Sequence, residues 1–156
     1  MTTTAKQNLA ARGIVLPDAA PPDLPFAPFS LWKGLLMVSG QIPIKDDHVV
    51  FIGRVGEDID LVTAQEAAEL CALHAIAQIN SACEGDLERV ERILRIGGYV
   101  ASAPGFNQQT QVINGASKLF NCIFGERGRH ARTAIGVAGL PLGVAVEVDA
   151  VVAIRA

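Results

Sequence analysis

The chain has 156 residues, the size of one domain with one core. Half of them are hydrophobic and the mean hydropathy is +0.33. Yet the apolar runs are short, and none approaches the ~18–20 residues of a membrane span. A net charge of −3 and a pI near 5.5 exclude a general nucleic-acid surface, which needs clustered Lys and Arg. The opening stretch MTTTAKQNLAARG is polar and lacks the charged start and apolar block of a secretory signal, so a cytoplasmic location is expected. Apolar surface in excess of what one core hides points to burial between subunits. Cys71, Cys83 and Cys122 are odd in number and lack metal-ligand spacing, so they are read as reduced thiols and no metal is expected.

Residues 3–12 suit a short helix ended by Gly13. The proline-rich Leu16–Pro28 reads as extended arm or loop. Phe29–Lys33 and Leu35–Ile44 read as strands meeting at a tight turn around Lys33-Gly34, and Val49–Val55 as a third short strand before the acidic loop Gly56–Asp60. Thr63 with Glu66 forms a capping-box signature. It opens a helix to about Ser81, with Ala67, Leu70, Cys71, His74 and Ala77 at helical spacing. Val90–Ala101 contains a strand in which Gly97-Gly98 marks a bulge or a close-packing point. Gln109–Phe124 fits a second long helix, stopped by Gly125. Arg132–Val137 and Val144–Arg155 read as a final hairpin across Ala138–Gly143. The class is therefore α+β, a mainly antiparallel sheet with two helices on one face, and the other face needs a partner. Residues 1–26 read as an N-terminal extension and 27–156 as a single domain.

The last two strands carry the candidate chemistry. Val144, Val146, Val148, Ala150, Val152 and Ile154 alternate with Ala145, Glu147, Asp149, Val151 and Ala153. Paired as a hairpin with Thr133, Ile135 and Val137 facing the core, they put Arg132, Glu147 and Asp149 on one outer face among small residues. A cross-strand salt bridge is one reading, but exposed pairs contribute only ~0–1 kcal/mol. A site floor is the other. Arginine's planar fork grips a carboxylate with two hydrogen bonds, and Glu147 beside it can activate water or carry a proton.

These residues also carry a resemblance. Ser39–Ile44 (SGQIPI) and Ala131–Ile154 (ARTAIGVAGLPLGVAVEVDAVVAI) resemble the two signature regions of the Rid/YjgF family, historically labelled "endoribonuclease L-PSP" or "translation initiation inhibitor". The resemblance implies a chorismate-mutase-like fold assembled as a homotrimer with clefts between subunits. It implies hydrolysis of reactive enamine or imine intermediates such as 2-aminoacrylate to a 2-keto acid and ammonia, without a metal or organic cofactor. Arg132 would bind the substrate carboxylate and Glu147 would position water or relay a proton. Gly40, Ala134, Ser39, Phe29 and Asn114 would line the pocket. Ala27-Pro28-Phe29 stands where deaminating members carry a tyrosine after a Gly-Pro pair.

Other residues have plainer readings. His74 sits among apolar residues as a satisfied core histidine, His48 as a solvent-exposed turn residue, and Arg127 and Arg129 as loop charges. His130, two residues before Arg132, is a candidate for lining the cleft. A non-catalytic trimeric module that binds small carboxylates shares Arg132 and competes with the deaminase reading. An RNA-cleaving or translation-blocking protein fits poorly, since no basic, aromatic stacking surface is apparent.

Overall fold

In the computed structural model, which describes residues 3–19 and 23–155, the chain opens with helix α1 (Ala5–Ala11). A capping box starts it: Thr4 Oγ1 accepts from the Gln7 amide and Gln7 Oε1 from the Thr4 amide. Ala5 and Leu9 are buried, and Asn8 Nδ2 donates to Ile123 O at 2.8 Å, so this end of the extension is packed against the core. The expected loop Leu16–Pro28 includes residues 20–22, which lie outside the described residues.

Strands β1 (Phe29–Trp32) and β2 (Leu35–Gln41) pair through Lys33 and Gly34, both at positive φ (49° and 79°), the two-residue turn that matches strand twist. Strands β3 (Ile44–Lys45) and β4 (His48–Val49) make a small separate hairpin. The third strand expected over Val49–Val55 does not form. Phe51 (φ 57°) and Gly53 (φ 129°) take backbone conformations foreign to a ladder, which leaves only single bridges at Ile52 and Val55.

Helix α2 (Leu61–Ala82) starts two residues before the anticipated capping box. Its N-cap is Asp60, whose Oδ1 accepts from the Thr63 amide at 2.8 Å. A carboxylate capping there also meets the positive end of the helix dipole, an advantage Thr63 lacks. Strand β5 (Val90–Ala101), helix α3 (Gln109–Phe124), strand β6 (Ala131–Val137) and strand β7 (Val146–Ile154) complete the chain. Gly125 ends α3 at φ 58° as expected.

The main sheet has the order β1-β2-β7-β5-β6. Three of its four pairings are antiparallel, whereas β5 and β6 run parallel. The final hairpin read from the sequence is therefore absent: β5 lies between β6 and β7. Parallel neighbours need a crossover, and α3 supplies it. Both long helices cover one face, over Leu36, Val38, Ile93, Ile96, Val100 and the alternate residues Val146–Ile154 of β7, all buried. The opposite face exposes Trp32, Leu35, Met37 and Ile135.

Two glycines set the layer spacing. A Cβ on Gly98 would run into the Ile113 side chain, so the Gly97-Gly98 pair is a close-packing point; the irregularities of β5 fall earlier, at Val90/Arg92 and Ile93/Arg95. A Cβ on Gly115 would collide with the backbone carbonyl of Gln65, where α3 crosses α2. Backbone cannot step aside as a flexible side chain does. Gly115→Ala should lose about 1–3 kcal/mol in denaturant unfolding despite alanine's better helix propensity. An unchanged midpoint would mean that the helices separate at no cost.

Candidate active site

Register decides which residues meet. Ile96, Gly98 and Val100 of β5 lie opposite Arg132, Ala134 and Gly136 of β6, so those three β6 residues share the helix face with buried Ile96. Arg132 reaches along α3. Its Nη1 donates to Asn114 Oδ1 at 2.9 Å and to Ser117 Oγ at 3.1 Å, and its Nη2 to the Thr110 carbonyl at 3.3 Å. Residues 110, 114 and 117 are spaced by four and three, one line on a helix surface. A guanidinium has five N–H groups in a fixed fork. The three bonds to α3 use Nη1 and Nη2, while Nε makes none among the described residues; Nε–H with the adjacent Nη2–H is the pair of donors a guanidinium offers to both oxygens of a carboxylate. Partial burial lowers the Arg132 pKa, and a guanidinium keeps its charge in proteins.

Behind Arg132, the Ser117 hydroxyl lies 2.9 Å from His130 Nε2, and His130 Nδ1 lies 2.6 Å from the Gly128 carbonyl. Burial, partly offset by the Gly128 hydrogen bond and reinforced by the Arg132 charge, lowers the His130 pKa and keeps the ring neutral near pH 7.

Glu147 is elsewhere. It lies opposite Tyr99 in the β5–β7 ladder, and Tyr99 lies opposite Ile135, so Glu147 is on the open face of the sheet. Arg132 and Glu147 of one chain thus face opposite sides. This corrects the shared outer face read from alternation, which assumed that β6 pairs with β7; with β5 between them, Thr133, Ile135 and Val137 turn outward. Asp149 does share the open face with Glu147.

The Ser39-Gly40-Gln41 motif builds the floor under Glu147. Val38 pairs with Ala150 but Gln41 with Val148, so β2 carries one extra residue there, a bulge. A Cβ on Gly40 would overlap the Glu147 carboxylate, and only glycine lets that carboxylate lie against the strand. Ser39 Oγ donates to the Ala27 carbonyl at 2.7 Å, tying the bulge to the chain ahead of β1. The expected pocket residues therefore fall in two groups: Arg132, Ala134 and Asn114 on the helix side, Glu147, Gly40 and Ser39 around the bulge. Phe29, paired with buried Val38, packs against the core.

Tyr99, the single tyrosine of the chain, was passed over in the sequence. Its hydroxyl donates to Asp149 Oδ2 at 2.8 Å, while the Gly97 amide donates to Asp149 Oδ1 at 3.0 Å and Arg95 Nη1 stands 3.6 Å from that oxygen. Two hydrogen bonds and the Arg95 charge thus engage both oxygens of Asp149. Glu147, half-buried, receives no hydrogen bond among the described residues, and burial followed by the Asp149 charge raises its pKa. Of the two carboxylates, Glu147 is the one fitted to exchange a proton. Alternation could have placed Tyr99 beside Glu147 only once the strand order was known.

The remaining histidines and arginines have structural partners or none. His74 Nε2 is bonded to the Ile44 carbonyl at 2.8 Å, and His48 is exposed. Arg127 pairs with Glu88 at 3.0 Å and donates to Val90 O at 2.7 Å, locking the loop before β6 onto the start of β5. Arg129 and Glu126 form an exposed pair. The three cysteines are free thiols, and among the described residues no cluster of His, Cys, Asp and Glu could hold a metal. No helix among them is long and apolar enough to cross a membrane.

This α+β sheet, with its crossover strand pair and a bulge under a strand carboxylate, is the chorismate-mutase-like fold. Residues 6–151 match the family described as YjgF/chorismate mutase-like, and the chain belongs to it. It is 44% identical to Protein TCP17 of Trypanosoma cruzi over 146 residues, 93% of this chain and 91% of the relative. The crystal structure of Atu1372 from Agrobacterium tumefaciens is also 44% identical and superposes with a TM-score of 0.90, covering 97% of this chain and 92% of the other. A crystal structure from Shewanella oneidensis MR-1 is 32% identical with a TM-score of 0.93, covering 97% and 100%.

The fold binds the Glu147 proton more tightly than the unfolded chain does. Glu147 therefore stabilises the fold fully below its ordinary pKa of 4.5, and that contribution is lost as pH rises through the higher folded value. Glu147→Gln has no charge to bury. Its melting temperature relative to wild type should climb between about pH 4 and about pH 7. A flat difference across that range would show that the carboxylate is not desolvated.

Proposed function

We propose that this chain is a hydrolytic deaminase of small 2-imino acids and 2-aminoacrylate-type enamines, giving 2-keto acids and ammonia. The observation that carries this reading is Arg132, its guanidinium held by three hydrogen bonds to α3 while Nε has no partner among the described residues, an arrangement suited to receive a carboxylate. The raised pKa of Glu147 supports it. Since Arg132 and Glu147 of one chain face opposite sides of the sheet, the site combines Arg132 of one subunit with Glu147 of a neighbour in a homotrimer. The exposed apolar face around Trp32, Leu35, Met37 and Ile135 is the surface that assembly would bury.

The chemistry asks little of the protein. The substrate carboxylate docks on Arg132, which fixes the imine carbon. Glu147 takes a proton from water as the water oxygen bonds to that carbon, and the C=N electron pair moves to nitrogen. Glu147 delivers that proton to nitrogen to give the carbinolamine, then takes the hydroxyl proton and passes it to nitrogen as the C–N bond breaks, so that ammonia leaves as the keto C=O forms. An enamine first takes a proton at carbon and enters as the imine. Positioning supplies the acceleration, because the imine is already electrophilic. An RNA-cleaving role gains no support from a chain of net charge −3.

A lyase or oxidase that generates the imine in situ provides the test, read as keto-acid release. Wild type should accelerate hydrolysis, and Arg132→Ala should lose about 10²-fold or more in kcat/KM. Glu147→Gln should lose about 10²–10⁴-fold in kcat while still binding the keto acid. Light scattering should give three times 16.4 kDa. Binding of keto acids without acceleration of any imine would replace the deaminase with a carboxylate-binding module.

A further inference from the structure

We propose that Ser117 and His130 form a positioning couple that locks the Arg132 guanidinium in its carboxylate-receiving orientation; this rests on the reading of Arg132 as the substrate anchor. The direction of each hydrogen bond follows from what each group is able to do. The Gly128 carbonyl only accepts, so His130 Nδ1, 2.6 Å away, carries the ring proton. A neutral imidazole then presents Nε2 as an acceptor, and the Ser117 hydroxyl at 2.9 Å directs its hydrogen there. The Ser117 oxygen is left to accept, and it takes the Arg132 Nη1 hydrogen at 3.1 Å. The run Arg132→Ser117→His130→Gly128 matches every donor with one acceptor. With the other tautomer, His130 Nδ1 and the Gly128 carbonyl would meet lone pair to lone pair, and Nε2–H would compete with Arg132 for the Ser117 oxygen.

The ring has no freedom to turn away. Phe120 meets it edge-on at 5.9 Å and 71°. A Cβ on Gly128 would collide with the Phe120 carbonyl, so the turn Gly125–Gly128 packs directly on the α3 backbone and presents the Gly128 oxygen to the ring. The segment Gly125–Arg132 (GERGRHAR) thereby acquires a use: it delivers both the arginine and the imidazole that orients it.

A serine against a histidine also suits a nucleophile and its base. Two features oppose that use. The Ser117 oxygen accepts from a cation, which lowers its nucleophilicity. The couple also touches Nη1, away from the Nε/Nη2 edge where substrate would lie. It acts through Arg132.

Imidazole ¹⁵N NMR of the full-length protein gives the first test, independent of ligand: His130 should be the neutral Nδ1–H tautomer. An Nε2–H tautomer would overturn the couple outright. Pyruvate titration and steady-state kinetics give the second. Ser117→Ala and His130→Ala should each raise the pyruvate Kd and the imine KM about tenfold, with kcat falling much less. Their double mutant should be no worse than either alone. His130→Gln, whose side-chain oxygen can accept from Ser117, should recover most of the affinity, and melting curves of all variants should show a folded protein. Wild-type affinity in His130→Ala would make the couple idle, and a collapse of kcat at constant KM would make Ser117 a nucleophile. If wild type itself fails to bind pyruvate, the anchor reading falls, while the tautomer measurement still decides the hydrogen-bond direction.

Discussion

Strand β6 has one hydrogen-bonded neighbour, β5, and runs parallel to it with Arg132 opposite Ile96. The rest of the site depends on this register. It turns Arg132 toward α3, where Asn114, Ser117 and Thr110 occupy three of its five N–H groups. A slip by one residue would exchange the faces of β6, put Thr133 and Ile135 against the core, and send the guanidinium to the bare side of the sheet. Gly98 helps to fix the layer geometry, because α3 approaches β5 closely enough for Ile113 to fill the space a Cβ would need. The parallel pair is therefore set by packing as well as by backbone bonding.

Two opposite electrostatic strategies result. On the helix side a cation is held among neutral oxygens and forms no ion pair among the described residues. On the open side a carboxylate is held without a cation or a donor of its own. Asp149 takes the Tyr99 hydroxyl, the Gly97 amide and the Arg95 charge, and Glu147 is left with its neighbour's repulsion. Each half is incomplete by one charge. Among the described residues, a cation without an ion pair and a carboxylate without a donor at two different surfaces are complementary needs.

Much of the fold was legible because it rests on local rules. Periodicity and glycine stops gave α3 its bounds, and alternation gave β7 its buried set of valines. Pairing order was not legible. Nothing local in Arg132–Val137 and Val144–Arg155, two strands joined by a short loop, says that a third strand separates them, and a hairpin is the default for such a spacing. That single error moved Arg132 to the wrong face and hid Tyr99. The Asp60 cap was missed because two capping signals lie three residues apart and only the packed helix selects the earlier one. The signature-stretch residues Ser39, Gly40, Arg132 and Glu147 fall in two separate groups, a separation that local sequence could not show.

The separation has a chemical consequence for an assembled site. Covering the open face with another copy removes more water from Glu147, which drives its pKa further in the direction burial already takes it. Bringing Arg132 of the second copy near Glu147 acts in reverse and favours the carboxylate. In the proposed trimer, a substrate carboxylate on Arg132 would offset that cation and favour the protonated form of Glu147. In the proposed reaction, ligand occupancy would then set the affinity of Glu147 for the proton it takes from water and passes to nitrogen.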